Sequence, residues 1–348
     1  MNRLLAPAFH VLLGVMIAVA GGWGVLALAY AGPHDSGVRF VLAGAIGVAT
    51  VAILLASCMA RWRQPALIAF GILFAILLLW WSRLLPTNEA DWQPDVAVLA
   101  HATIAGDVVT VHNIRNINYR SETDYTAAWY DKQFDLRDLE AVDLVAVYWM
   151  GPAIAHTFVS FAFAGGEHLT ISIETRKKRE QSFSTLQGFF RQYELIYVVA
   201  DERDTNRLRT NYRHDPPEDV YLYRVQAPPE AVRQVFLEYM QRINELSAKP
   251  EFYNTLSSNC TTEIWFNTLV NGEHLPFSWK ILISGYVPQY LYENGRLDTR
   301  VPFLELKQRG YINARAQAAD TAADFSQRIR EITPTANETF VPRIGTQQ

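Results

Sequence analysis

Three apolar runs occupy the first quarter of the chain, at residues 9–30, 38–60 and 65–85. Each supplies the roughly 20 residues that cross a bilayer core as a helix. Beyond them the period changes. Residues 95–117 alternate apolar and polar positions and break at Gly106-Asp107, which predicts a hairpin. Residues 142–149 read as a strand closed by Gly151-Pro152. The clearest hairpin comes next. Residues 153–164 alternate and are rich in aromatic and β-branched side chains, Gly165-Gly166 turns the chain, and residues 168–175 run back. Helical spacing follows Pro228-Pro229-Glu230, with Val232, Val235, Phe236, Tyr239, Met240, Ile243 and Leu246 three and four apart. A second helix opens at Ser258-Asn259 and runs to Asn271-Gly272. The pattern predicts three N-terminal transmembrane helices followed by an α+β domain. No internal repeat is seen.

Charge sharpens this division. Residues 1–87 hold six of the 66 charged side chains, five Arg and one Asp, whereas the remaining 261 residues hold 60. The first part is +4 and the rest −8, which gives the net −4. We therefore expect a three-helix membrane anchor at 1–87, an outer domain at 88–330 and a polar C-terminal tail at 331–348. A single soluble enzyme, a disordered chain and a nucleic-acid binder with a basic domain are excluded. Ala18-Val19-Ala20 has the spacing of a signal cleavage site, but the first run continues through Trp23 to Tyr30 and two more spans follow, so it reads as an uncleaved anchor. Arg3, Arg61 and Arg63 fall on one side of the spans, and Arg39 and Arg83 on the other. The positive-inside rule puts the first group in the cytoplasm and the outer domain in the periplasm of a bacterial inner membrane.

The outer domain has one cysteine, Cys260, so no disulfide forms within it. It follows Ser258-Asn259, which are good N-cap residues, so it should sit in the first turn of a helix. There the macrodipole and unpaired N–H groups favour a thiolate, and N–H groups near Asn259 and Thr261 would stabilise an oxyanion. His156, in mid-strand, is the nearest thing to a base. A third group must orient its imidazole. A two-residue turn at Gly165-Gly166 puts Thr175 opposite His156, and a one-residue change of register puts Glu174 there instead; His168 is a weaker candidate. Read blandly, His156 is a core histidine and Glu174 a solvated strand carboxylate. Asp201-Glu202-Arg203-Asp204 reads as a salt-bridged turn, and Arg176 to Arg179 as a solvated strand end that touches anionic head groups if the domain lies on the bilayer. There is no GxGxxG, P-loop or HExxH motif, and His101, His112, His214 and His274 have no ligand-like spacing. Neither cofactor nor metal is called for.

The blocks HTFVSFAF (156–163), SIETRK (172–177), FRQYELIYVVADERD (190–204), DVYLYR (219–224) and PEFYNTLSSNCTTEIW (250–265) resemble the Lnb-type N-terminal periplasmic domain family, best known for bacterial lipoprotein N-acyltransferases. The resemblance spans roughly residues 112–310. The order of His before Cys is also similar to that of circularly permuted papain-like (NlpC-type) thiol enzymes, as in lecithin:retinol acyltransferase. The resemblance implies that Cys260 is the nucleophile and His156 its base. It secures no third member, so Glu174 rests on geometry. The expectation is a membrane-anchored thiol acyltransferase acting on phospholipid or lipoprotein acyl groups through a thioester. A cysteine hydrolase with the same pair, or a non-catalytic periplasmic module with an inert Cys260, are the other readings.

Overall fold

The computed structural model describes residues 2–33 and 35–331, with side chains from Ala8 onward. Of the tail expected at 331–348, all but Glu331 lies outside the described residues. The chain forms two compact units. One comprises the residues up to Thr87 together with Phe183–Tyr193, the other Asn88–Ser182 and the residues from Glu194 on.

In the first unit the apolar runs are helices α1 (Asn2–Ala31), α2 (Ser36–Cys58) and α3 (Arg63–Ser82), each long and apolar enough to cross a membrane. Asp35 caps α2 by accepting from the Val38 N–H at 2.9 Å. Where α1 meets α2, a Cβ on Gly21 would lie 2.3 Å from Thr50 Cγ2, so a side chain there would hold the helices apart. Leu28, Ala43 and Leu77 are buried together, one from each helix.

The second unit is built on strands β1 (His101–Ala105), β2 (Val108–Arg115), β3 (Asn118–Tyr119), β4 (Tyr125–Thr126), β5 (Trp129–Asp135), β6 (Leu139–Tyr148), β7 (Ala155–Phe163), β8 (Glu167–Arg176), β9 (Glu194–Asp201) and β10 (Asp219–Arg224). Its eight-stranded sheet runs β1-β2-β9-β8-β7-β6-β10, with β5 also on β2; β3 and β4 form a separate ribbon. All pairings are antiparallel except β2 with β9. The hairpin expected over 95–117 is β1–β2, turned at Gly106-Asp107, and the residues before it form a short 3-10 turn, Pro94–Val96.

The helices are α4 (Glu202–Arg207), α5 (Pro229–Ala248), α6 (Cys260–Thr268), α7 (Trp279–Leu282), α8 (Val287–Glu293), α9 (Phe303–Gly310), α10 (Asn313–Ala318) and α11 (Phe325–Arg328). The apolar stripe of α5 lies against one face of the sheet, where Phe161 meets the rings of Phe236 and Tyr239 at 5.0 and 5.7 Å. On the other face Val145, Val147, Phe158 and Val220 pack with Ile312, Ala316, Phe325 and Ile329. Helices thus cover both faces of a central sheet, an α+β architecture.

Two readings of charged runs change. Arg176 is 2% exposed, with its guanidinium bonded to the carbonyls of Val96 and Ala97 and stacked 4.2 Å from Trp92, so it faces no lipid. The Asp201-to-Asp204 run is salt-bridged as expected, but it leads into a helix and not a turn. Glu202 and Asp204 open α4 and are buried, paired with Arg330 and Arg115 respectively.

Candidate active site

The site begins with a turn. Ala164, Gly165 and Gly166 form a three-residue loop, and φ values of 79° and 82° at the two glycines suit a residue without Cβ. Phe163 therefore pairs with Glu167, and the ladder runs back to Val159 opposite Ile171. Extended three residues, this register sets His156 opposite Glu174. The side chains meet there, with His156 Nε2 3.0 Å from Glu174 Oε1 and 2.8 Å from Ser172 Oγ. Ser172 Oγ donates to Glu174 Oε1 at 2.7 Å, so its oxygen is left to accept from an Nε2–H. That tautomer leaves Nδ1 for the thiol. Thr175, the partner that a two-residue turn would supply, is instead buried opposite Leu195 of β9. His168 lies beside the turn, at the far end of β8, and bonds to the Gly166 carbonyl at 2.9 Å.

Cys260 is the first residue of α6 and is partly exposed. Its helix start is tightly held. Asn259 Oδ1 accepts from the N–H groups of Thr261 and Thr262, each at 3.0 Å, while the Asn259 N–H donates to Thr262 Oγ1 at 2.9 Å. This is a capping box. Thr261 Oγ1 donates to the Ile281 carbonyl at 2.6 Å. The N–H groups of Asn259 and Thr261 are engaged in this cap, so these residues support the helix start. Cys260's own N–H is the first-turn donor that the cap does not use.

The electrostatics follow from these placements. Burial would push the Cys260 thiol up, but its hydrogen bond to His156, the imidazolium charge and a bond from the Thr157 N–H hold it below the ordinary thiol value. The β7–β8 ladder begins only at Val159, which leaves that N–H clear of β8. Burial opposes the charge on His156, yet the Glu174 carboxylate and the bond to Cys260 push it up to about 9. Glu174, despite burial, is held well below the usual carboxylate value by His156, Arg209 and Ser172. A thiol shifted down beside an imidazole shifted up is the condition for a thiolate–imidazolium pair.

Sequence reasoning left three of these residues unassigned. Ser172 lies two before Glu174 on the same strand face, so strand periodicity was a usable signal. Arg209, whose Nη2 bonds Glu174 Oε1 at 2.9 Å, is carried on a π-helical turn, Leu208–Tyr212, and no local pattern pointed to it. Tyr253 is buried in the field of Cys260 and Glu174, which keeps its phenol neutral. Elsewhere Asp143, His168 and Glu202 bring ligand-type atoms within 4.8 Å of one another. Arg330 lies 2.6 Å from both carboxylates and Arg224 2.5 Å from Asp143, so the positive charge there is already supplied.

Three helices long and apolar enough to cross a membrane, followed by an α+β domain, define the class. Residues 125–285, which include both His156 and Cys260, match the Lnb N-terminal periplasmic domain, and this part of the chain belongs to that family. No curated protein and no solved structure matches the chain. The protein is therefore membrane-anchored and carries a domain of periplasmic type.

Proposed function

We propose that this protein is a thiol acyltransferase of a bacterial inner membrane, with its second unit in the periplasm. Its substrates are phospholipid or lipoprotein acyl groups. The Cys260 thiolate adds to an ester carbonyl, and the Cys260 N–H supports the oxyanion. His156 gives its Nδ1 proton to the departing alcohol as the C–O bond breaks, leaving a thioester. An acceptor amine then adds to that thioester, and His156 takes up its proton. The C–S bond breaks, an amide forms and the thiolate returns. Ser172, Glu174 and Arg209 act as positioning residues, since none of them reaches the reacting atoms. A strand His followed by a helix-start Cys also supports kinship with permuted papain-like enzymes.

One observation carries the choice of substrate. An apolar cavity of about 180 Å³ is lined by Thr157 and Thr261 together with Val159, Val232, Ile264 and Leu275; His156 and Cys260 precede the first two in the chain and do not line it themselves. A peptidase cleft of this size would need polar walls to hold a peptide backbone, whereas an acyl chain needs none. Thr157 Oγ1 is buried with no hydrogen-bond partner among the described residues, and offers one polar point on that wall. The test uses the full chain in phospholipid vesicles, acid-quenched and analysed by mass spectrometry. A hydroxylamine-labile acyl adduct on Cys260 is expected, missing in Cys260→Ser and in His156→Ala with the fold intact. An adduct that releases only free fatty acid when amine is present would make the enzyme a deacylase. Unmodified Cys260 in a chain that still transfers acyl groups would overturn the mechanism.

A further inference from the structure

The segment Phe183–Tyr193 lies in sequence between β8 and β9, yet it belongs to the unit of the membrane helices. It is closed on itself. The Ser184 N–H donates to Tyr193 Oη at 2.9 Å, Tyr193 Oη donates to Gln187 Oε1 at 2.8 Å, and a 3-10 turn, Gln187–Phe189, ends with the Phe190 N–H on the Gln187 carbonyl at 2.9 Å. Short self-packed loops of this kind hold their side chains in fixed directions.

Two contacts tie it to helix ends that share one side of the membrane. Arg191 Nη1 donates to the carbonyls of Trp81 and Leu84, at 2.6 and 3.1 Å, at the C-terminal end of α3. There the last carbonyls lack helical partners and the macrodipole is negative. The guanidinium also lies 4.7 Å from the Trp81 ring. Arg191 adopts φ 52°, a region that non-glycine residues rarely enter, which shows how firmly these contacts define it. Phe190 is buried and stacks on Tyr30, in the last turn of α1, at 5.4 Å. Both α1 and α3 end on the side opposite Arg61 and Arg63. Tyr30, Trp80 and Trp81 are the amphipathic aromatics expected at head-group depth.

The same loop leaves Phe183, Leu186 and Phe189 exposed, at 50%, 44% and 38%. We propose that this loop is a lipid-binding element, lying in the outer membrane–water interface with Phe183, Leu186 and Phe189 inserted among the head groups and upper acyl chains. The occupant follows from continuity: helix ends that must sit at the interface hold the loop, and its free side chains are those that partition there. The proposal does not draw on the chemistry of Cys260.

The test uses the full chain in nanodiscs of phosphatidylcholine and phosphatidylglycerol. Phe189→Cys, with Cys58→Ser and Cys260→Ser, is labelled with bimane. Nitroxide lipids labelled at the head group or high on the acyl chain should lower its emission about twofold, more than lipids labelled near the terminal methyl, and iodide should quench it weakly. Adding Arg191→Ala should reverse this, with lipid quenching lost and iodide quenching gained. Strong iodide quenching without lipid quenching in the parent overturns the proposal. So does shielding from both quenchers, which would mean a protein partner covers the loop. Lipid quenching unchanged by Arg191→Ala overturns the clamp.

Discussion

Glu174 accepts hydrogen bonds from His156, Ser172 and Arg209, so it holds the imidazole by one edge while Arg209 balances its charge. Arg209 has opposite effects on its neighbours. Its charge keeps Glu174 ionised, and it also disfavours the proton on His156. Arg209→Gln should therefore make His156 more basic, and the alkaline limb of the activity profile should move upward from about 9. Stability should fall by about 2 kcal/mol as a buried charged hydrogen bond is lost. A merely structural role would lower stability and leave the limb in place, so a pH profile of kcat together with thermal melts separates the two. Arg209→Lys should restore most of the profile. Cys260 and His156 were readable in the chain because a helix start and an alternating strand are local signals. Arg209 was not, because its partner is 35 residues away and the two meet only once the π-helical turn packs on the sheet.

At the scale of elements, two devices aim the pair. The Asn259 cap fixes where α6 begins, and the three-residue loop fixes which β8 residue faces His156. The cap residues could be read from Ser258-Asn259, but not which N–H groups Asn259 would engage, those of Thr261 and Thr262. The hairpin could be read as well. Its register could not, since two glycines close a two-residue or a three-residue loop equally well, and one residue decides between Thr175 and Glu174. A third device braces the start of β7. The Gly285 N–H donates to the Ala153 carbonyl at 2.9 Å, Ser284 Oγ accepts from the Ala155 N–H at 2.9 Å, and Tyr148 Oη donates to the Gly285 carbonyl at 2.7 Å. A Cβ on Gly285 would lie 2.1 Å from the Pro152 carbonyl oxygen, a backbone atom that cannot swing aside. Gly285→Ala should cost roughly 1–3 kcal/mol and displace His156. Denaturant melts should show the loss, with activity falling further than the unfolded fraction explains.

For the whole molecule, stability of the second unit leans on an ion network away from the thiol. Arg330 joins the buried carboxylates of Asp143 and Glu202, and Ser160 adds a bond to Glu202 at 2.7 Å. Arg330→Met would leave the buried Glu202 carboxylate without its cation and Asp143 with Arg224 alone, and should destabilise the unit by about 3–5 kcal/mol. The pH dependence has a definite sign. Burial opposes the Glu202 charge, but Arg330 holds its carboxyl down to about 2, so this stabilisation is present above the unfolded value of 4.5 and is lost as pH falls toward 2. The gap between wild type and Arg330→Met in denaturant melts should narrow on acidification. A constant gap would mean the loss is one of packing. The division into a low-charge and a charged part was plain from composition, but the membership of Phe183–Tyr193 in the anchor unit was not, since its sequence lies inside the outer domain.

The central claim is that Cys260 is a thiolate held by His156. The most direct test is the rate of iodoacetamide alkylation of Cys260 against pH, on the full chain with Cys58→Ser. Wild type should reach a level rate at a pH below the ordinary thiol value of about 8.5, with a second change near 9 as the imidazolium loses its proton. His156→Ala should restore a simple rise through the ordinary thiol range. A wild-type profile that rises only there, unchanged by His156→Ala, would contradict the account.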